Sequence, residues 1–496
     1  MKLKFVFCKS QKRLIFHYFI LMLKQLRRSL VVIIGISLFF IMSAGPVRGQ
    51  SSADTLQVSF PDFLELALER SKELQARRQQ IQVADTRRQQ AKASRFLPNL
   101  ELTTAHGLIP GVENGNSDFS ESSLYLDPGL RTDWGDWAVF NRAEVSAIQP
   151  LYTWGALGSA IQASKAGVAA ASAEYDGRQQ EYEMNIFELY QARLLAAELM
   201  QLTGEARSTL RSAERELETL MEEGSQDIED ADLYQLDIFK HQFEAQVVEV
   251  EQNMNFVRQA WQLALRGGTD DDMPVYEPES PFIDPLLDMP EQQQLYRQTA
   301  LNNRPEIRRL DAVENAAGYG LEAAKAQRYP AFVLGLSYRY AYASNRPRQR
   351  NPFINNPANT ESLTVGLGLR QSLNFFILES RVERARVQHR QAGYAREAAA
   401  DGIELDIADK YKNTEIALAR MQASRSAVNV SRRWLRQEQL DYDIGFGDVD
   451  NLVDAVRQNL ELEAEYKQRV YDYNIALGRL YKASGRSIKQ LYSADN

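Results

Sequence analysis

Hydrophobic positions along this chain follow two periods, and the two alternate. The clearest period of two runs from Ala331 to Tyr342. Phe332, Leu334, Leu336, Tyr338, Tyr340 and Tyr342 share one face, while Val333, Gly335, Ser337, Arg339 and Ala341 share the other. A strand that alternates this way, with aromatics on its apolar face, suits contact with lipid. Strands are therefore expected over 331–342 and 361–373. In the second, Leu363, Val365, Leu367 and Leu369 face one way, and Thr364, Gly366, Gly368 and Arg370 the other. The segment between them is rich in Asn, Pro and Arg, as an external loop should be. A weaker hairpin is expected earlier, from strands over 98–108 and 138–149. Leu100 and Leu102 share a face of the first; Val139, Ala143, Val145 and Ala147 oppose Arg142, Glu144 and Ser146 in the second. Trp134, Trp137, Tyr152 and Trp154 bracket that strand, where interfacial aromatics belong. The stretch from Ile109 to Asp133 reads as its loop.

The remainder is helical in character. Helices are expected over 61–95, 156–222, 228–267, 291–328, 378–442 and 449–484. The run from Ala156 to Glu222 contains no proline and is rich in Ala, Glu, Gln, Arg and Leu. A helix of that length spans about 100 Å and implies coiled-coil packing. The order helix, hairpin, long helix, turn, helix occurs twice. Ala67-Leu68 and Glu73-Leu74 recur at one common spacing as Ala300-Leu301 and Glu306-Ile307. Tyr190 and Gly224 recur, at a shorter common spacing, as Tyr411 and Gly445. The spacing shrinks across the first hairpin because its loop is longer. The pattern predicts a first repeat over 50–270, a linker over 271–290, a second repeat over 291–485 and a tail over 486–496.

Four strands cannot close a membrane barrel, since the smallest have about eight. An open sheet in lipid would leave edge groups unsatisfied. The expected fold is therefore an α+β membrane protein with a two-fold internal repeat. Each chain gives four strands to a shared transmembrane β-barrel and long helices to a coiled-coil barrel beneath it.

The N-terminus changes the charge picture. Arg27 and Arg28 precede an apolar run from Leu30 to Met42, then small residues. This reads as a secretory signal over 1–49 with cleavage after Gly49, and Met22 is a candidate true start. The apolar run is short for a transmembrane anchor of about 20 residues. Removing the leader leaves 49 basic against 66 acidic residues, a net charge of −17. That balance argues against a nucleic-acid partner. The single cysteine, Cys8, lies in the leader, so neither disulfide chemistry nor a lipid anchor at the leader's end is expected.

These motifs, taken in order, resemble the TolC-type outer-membrane efflux protein family. Asn303-Arg304-Pro305-Glu306-Ile307 resembles its "NRPEL" signature. Ala323-Ala324-Lys325-Ala326 leading to Tyr329-Pro330 resembles the entry to its third strand, and Gln149-Pro150-Leu151-Tyr152 the exit from its second. Gly445 through Asp454-Ala455 resembles its helical tip, and Tyr473-Asn474-Ile475-Ala476 with Leu480 and Gly485 its C-terminal end. The resemblance covers Ser59 to Gly485. It implies a homotrimer with a 12-stranded barrel in the outer membrane and a long periplasmic portion. It also implies a periplasmic adaptor (membrane fusion) protein and an inner-membrane pump as partners, in tripartite efflux or type I secretion. No catalysis and no cofactor are implied.

Acidic residues crowd both expected tip turns at Gly224 and Gly445: Asp227, Glu229, Asp230 and Asp232, then Asp441, Asp443, Asp448, Asp450 and Asp454. Acids at helix starts cap free N–H groups and oppose the helix dipole. The resemblance adds a second role, an acidic ring at a periplasmic gate. Asp454 matches a ring position; Asn451 stands where a second acid is expected, with Asp450 adjacent and Asp230 corresponding in the first tip. Three Asp454 carboxylates meeting would repel, and a closed state would then require cations, protons or partner contacts. Arg339 and Arg370 are expected on the barrel lumen. The four histidines show no metal-ligand spacing, and no nucleotide-binding glycine loop is present. Two other classes fit parts of the chain: a secreted or periplasmic coiled-coil scaffold, and an adaptor protein. The scaffold has no use for alternating aromatics in 332–342, and an adaptor should carry one helical hairpin with compact β domains.

Overall fold

The computed structural model of the protein describes residues 55–113, 131–222, 230–266, 275–287, 290–346, 356–444 and 449–492. The expected leader, Gly224, Gly445, Asp227, Glu229 and Asp448 lie outside them, as do parts of both hairpin loops.

The chain opens with β1 (Thr55–Val58), α1 (Phe60–Arg70) and α2 (Lys72–Phe96). The single helix expected over 61–95 is thus two. Ser71 ends the first, its N–H donating to the Ala67 carbonyl at 3.0 Å, and caps the second, its hydroxyl accepting from Leu74 N–H at 3.3 Å. One side chain able to cap a new helix start makes the break local and inexpensive. The hairpin follows as β2 (Asn99–Glu113) and β3 (Arg131–Tyr152), then α3 (Ala156–Glu222) and α4 (Asp230–Leu265). The second repeat comprises α5 (Gln293–Asn303), α6 (Pro305–Ala326), β5 (Ala331–Ala343), β6 (Thr360–Arg370), α7 (Phe375–Asp443) and α8 (Val449–Ala483). Here too the helix expected over 291–328 is broken, at Arg304. Pro305 forces the preceding residue out of the helical region and starts α6 without needing a hydrogen-bonded N–H.

Two further expectations are corrected. The segment over 271–290 is not a bare linker: β4 (Val275–Pro278) within it pairs in parallel with β1. The Trp261 ring N–H donates to the Tyr276 carbonyl at 2.9 Å and fixes this strand against α4. Of the tail expected over 486–496, the described part, 486–492, is not free. Gly485, at φ 73°, turns the chain into a 3-10 helix (Ile488–Leu491) whose Ile488 and Leu491 are buried. Tyr492 stacks on Phe60 with centroids 4.6 Å apart.

The hairpins share one antiparallel sheet, in the order β2-β3-β5-β6. The first hairpin is longer than expected, chiefly at its loop end. β2 and β3 continue into the stretch read as loop, with Gly111 opposite Asp133 and Glu113 opposite Arg131 after a register shift at Pro110. This extension, Ile109–Glu113 and Arg131–Trp137, mixes Pro110, Gly111 and Gly135 with charged and aromatic residues and keeps no steady period of two, so hydrophobic period alone does not reveal it. Each strand runs into or out of one long helix, and the helices pack in the same order: α2 on α3, α3 on α6, α6 on α7. Trp154 and Gly155, both at positive φ, turn β3 into α3; the Trp154 indole N–H donates to the Pro330 carbonyl at 2.9 Å and ties the two hairpin bases together.

The main core gathers α1, the 3-10 helix, α5, the middles of α3 and α7 and the C-terminal part of α8. Phe60, Phe63, Phe187, Tyr296, Tyr473, Leu477 and Leu480 are essentially sealed there. A buried polar knot crosses it. Asn474 donates to the Gln191 side-chain oxygen at 2.9 Å and to the Asp284 carbonyl at 2.8 Å, and accepts from Leu286 N–H at 3.1 Å. Gln191 in turn donates to the Tyr492 hydroxyl at 2.6 Å. A fully partnered amide in such a core fixes the relative depth of the elements it joins.

Candidate functional site

The sheet has two chemically distinct faces. On one lie Leu100, Leu102, Leu108, Val139, Val145, Phe332, Leu334, Leu336, Tyr338, Tyr340, Leu363, Val365, Leu367 and Leu369, all exposed. The register joins them into one surface: Leu102 opposes Val145, Val145 opposes Tyr338, and Tyr338 opposes Leu363. An apolar patch this continuous is not left to water. Tyr152, Trp154 and Tyr329 cluster at its helix-proximal border, and Trp134 and Trp137 lie near its far end. Aromatics at both borders are how a membrane barrel marks its two interfaces.

The opposite face is polar and holds both arginines expected there. Arg339 is not a lone cation. Its guanidinium donates twice to Glu144, each at 3.1 Å, and Arg142 donates to the same carboxylate at 2.9 Å. Ser337 adds a hydroxyl at 3.3 Å. Glu144 thus offsets one of two arginine charges. The cross-strand register, Glu144 opposite Arg339, carries the signal that sequence reading missed. Arg370 shares this face and has no carboxylate partner among the described residues.

Both outer strands, β2 and β6, present one unpaired edge among the described residues. Unpaired backbone N–H and C=O groups cannot remain in a hydrocarbon layer.

At the far end of the long helices, α4 starts at Asp230 and α8 at Val449. Asp450, Asn451 and Asp454 fall in the first two turns of α8. The two helical hairpins meet just above: Ala206, Leu210, Phe243 and Val247 form a small core that Tyr442, Val453 and Leu460 cover. Asn451 and Asp454 are exposed. The Asp454 carboxylate accepts from Arg457 at 2.6 Å, one turn along the same helix. The i, i+3 spacing of Asp454 and Arg457 is the sequence signal for this pair. Further up, Arg207 donates to Glu244 at 2.8 and 3.1 Å and keeps that carboxyl below its ordinary range. This clamp holds α3 to α4 above the tip.

No described helix is long and apolar enough to cross a membrane.

Comparison with known proteins agrees with this geometry. The family model described as "Outer membrane efflux protein" matches residues 63–254 and 296–486, one match in each repeat. None of the curated proteins matches the chain. Among solved structures, the chain is similar to the CusC channel, with 16% identity and a TM-score of 0.67 over 91% of this chain and 99% of that one. It is similar to the open state of the Neisseria gonorrhoeae MtrE outer-membrane channel, with 17% identity and a TM-score of 0.66 over 89% and 94%. The Vibrio cholerae outer-membrane protein VceC gives 18% identity and a TM-score of 0.63 over 86% and 96%. The scaffold and adaptor alternatives are set aside by the same match. Channels of this family are homotrimers of tripartite efflux systems and are not enzymes. The chain belongs to the outer membrane efflux protein family, and is an outer-membrane efflux channel subunit with a long periplasmic helical extension.

Proposed function

We propose that three copies of this chain close their sheets edge to edge into one 12-stranded barrel, continued below by a tube of twelve long helices. The observation that carries this reading is the coincidence of two orders. Strands run β2-β3-β5-β6 and helices α2-α3-α6-α7, each strand continuous with its own helix. A sheet that closes by repetition therefore closes the helical layer with it. Export through the tube is passive. The apolar face meets outer-membrane lipid and the face with Arg339 and Arg370 lines the lumen. Lone Arg370, rather than the paired Arg339, carries the larger share of any electrostatic preference there. The tip turns, with Asp230, Asp450, Asn451 and Asp454, form the periplasmic gate. They are the end that an adaptor and an inner-membrane pump engage.

Fractionation of cells followed by planar-bilayer recording tests the reading. Recovery in the outer membrane with discrete conductance steps is expected. Recovery in the soluble periplasm rejects it. At the gate, each Asp454 has its own Arg457, so the ring is held by alternating rather than uniform charge.

A further inference from the structure

Just below the apolar sheet face, the chain changes character. Arg87, Arg88, Lys92 and Arg95 lie in the last turns of α2 with no acid from Arg87 to Phe96. Arg381, Arg384, Arg386 and Arg390 crowd the first turns of α7. Three of these eight are answered within their helices: Arg88 by Asp85 at 2.5 Å, Arg386 by Glu383, and Arg390 by the same carboxylate at 3.6 Å. Arg87, Lys92, Arg95, Arg381 and Arg384 are exposed and have no carboxylate partner among the described residues. Lys92, Arg95, Arg381 and Arg384 are the four nearest the sheet. In a chain with a net charge of −8, four unanswered cations close to the membrane border stand apart.

Their depth is fixed by the aromatic border. Arg95 adjoins Phe96, its guanidinium 5.3 Å from the ring, and Phe96 is exposed. Arg381 follows exposed Phe375, Phe376 and Ile377 by one turn. At 1.5 Å per residue, Lys92, Arg381 and Arg384 lie within about 12 Å of these apolar positions, the depth of lipid headgroups. The second repeat carries the same device at Arg328-Tyr329-Pro330, which answers Arg95-Phe96-Leu97-Pro98. There the arginine is neutralised by Glu379 at 2.6 Å. Among the described residues the two edge helices keep most of the free cations at this depth, the inner helix α3 adding Lys165 alone.

We propose that these four residues form an anionic-phospholipid site at each joint between copies. The inference depends on the assembly described above. Closing the sheet brings β6 of one copy beside β2 of the next, and with them the start of α7 and the end of α2. Four like charges then converge at each joint without a protein counter-ion. Phosphate groups of anionic lipid in the inner leaflet of the outer membrane supply it, and so bridge the joint.

Native mass spectrometry of the purified, delipidated trimer tests this, with phosphatidylglycerol and phosphatidylcholine added in equal amounts. The wild type should retain phosphatidylglycerol at least about fivefold over phosphatidylcholine, since each cation near a headgroup plane is worth about that factor. Lys92→Gln/Arg95→Gln and Arg381→Gln/Arg384→Gln, each made separately, should lower the preference severalfold. Excess inorganic phosphate should not displace the lipid; displacement would assign the cations to free anions instead. Equal retention of the two lipids by the wild type, or an unchanged preference in both variants, overturns the site while leaving the trimer intact. A monomer mass in every condition overturns the assembly itself.

Discussion

The ring of Tyr190 lies 5.8 Å from that of Phe63, at an interplanar angle of 50°. The second repeat holds the same relationship: Tyr411 lies 6.4 Å from Tyr296 at 51°. Phe63 and Tyr296 are related by the same spacing that carries Ala67-Leu68 onto Ala300-Leu301. The repeat therefore extends to side-chain packing, not only to element order. The copies have diverged in load. Tyr190 is buried, its hydroxyl pushed up to about 12 by that burial, and also touches Trp261 and Tyr492; Tyr411 is half-buried. Tyr190→Ala should cost about 3–5 kcal/mol and Tyr411→Ala less than half of that. Thermal unfolding of the two variants in detergent checks the ranking, and equal losses would contradict it.

The duplicated helix break is solved in two ways. Ser71 and Arg304 occupy equivalent positions, and each donates its N–H back one helical turn, to Ala67 and Ala300, at 3.0 Å. Ser71 then caps with its hydroxyl. Arg304 instead grips Glu306, at 2.8 and 3.1 Å, and Asp406, at 2.8 Å. Burial works against its charge, but these carboxylates keep the guanidinium above its ordinary range. Ser71→Ala should cost about 1 kcal/mol. Arg304→Ala should cost about 2–3 kcal/mol, because it leaves two carboxylates facing each other at a half-buried joint. Urea unfolding of the variants measures both.

Glu183 is a buried carboxyl whose partners are few. Burial raises its pKa above the ordinary 4.5; the Gln179 amide, donating at 2.9 Å, and the more distant Lys489 only partly oppose this. Because the folded state holds the proton more tightly, this group favours folding below about pH 4.5 and loses that contribution as pH rises through the folded value. Glu183→Gln keeps the oxygen that Gln179 bonds. It should raise the melting temperature at pH 8, by about 1–2 °C, and leave it unchanged at pH 4. A loss at pH 8 would show that the charge is needed.

At the tip, Asp454→Ala should weaken block by divalent cations in single-channel recordings by about tenfold, the scale of one lost carboxylate contact per subunit. Arg457→Ala should strengthen block, because it frees the carboxylate it now holds at 2.6 Å. Unchanged block in both variants removes these residues from the gate.

Much of this architecture is legible in the sequence, and the reasons are physical. A strand with one face in lipid must alternate, so β5 and β6 declare themselves at Phe332–Tyr342 and Leu363–Leu369. The 67-residue α3 needs no terminal signal beyond its missing prolines. The rest depends on partners far away in the chain. β4 is a short strand that forms only by pairing with β1. The last segment is ordered because Tyr492 stacks on Phe60, at the other end of the described chain. Arg339 reads as a free lumen charge until register places Glu144 across from it. Local pattern reports burial; it does not report which distant group answers a charge.

Closure of the barrel by three copies is the central claim, and its edges can be joined covalently. Thr103 on β2 and Ser362, Thr364 and Gly366 on β6 all belong to the polar face. In a Cys8→Ser background, which leaves no other cysteine, Thr103→Cys is combined in turn with Ser362→Cys, Thr364→Cys and Gly366→Cys. After mild oxidation in membranes, at least one pair should give a covalent trimer on a non-reducing gel that collapses to monomer with thiol. Monomer alone from every pair, or a ladder that continues past three, would contradict the account.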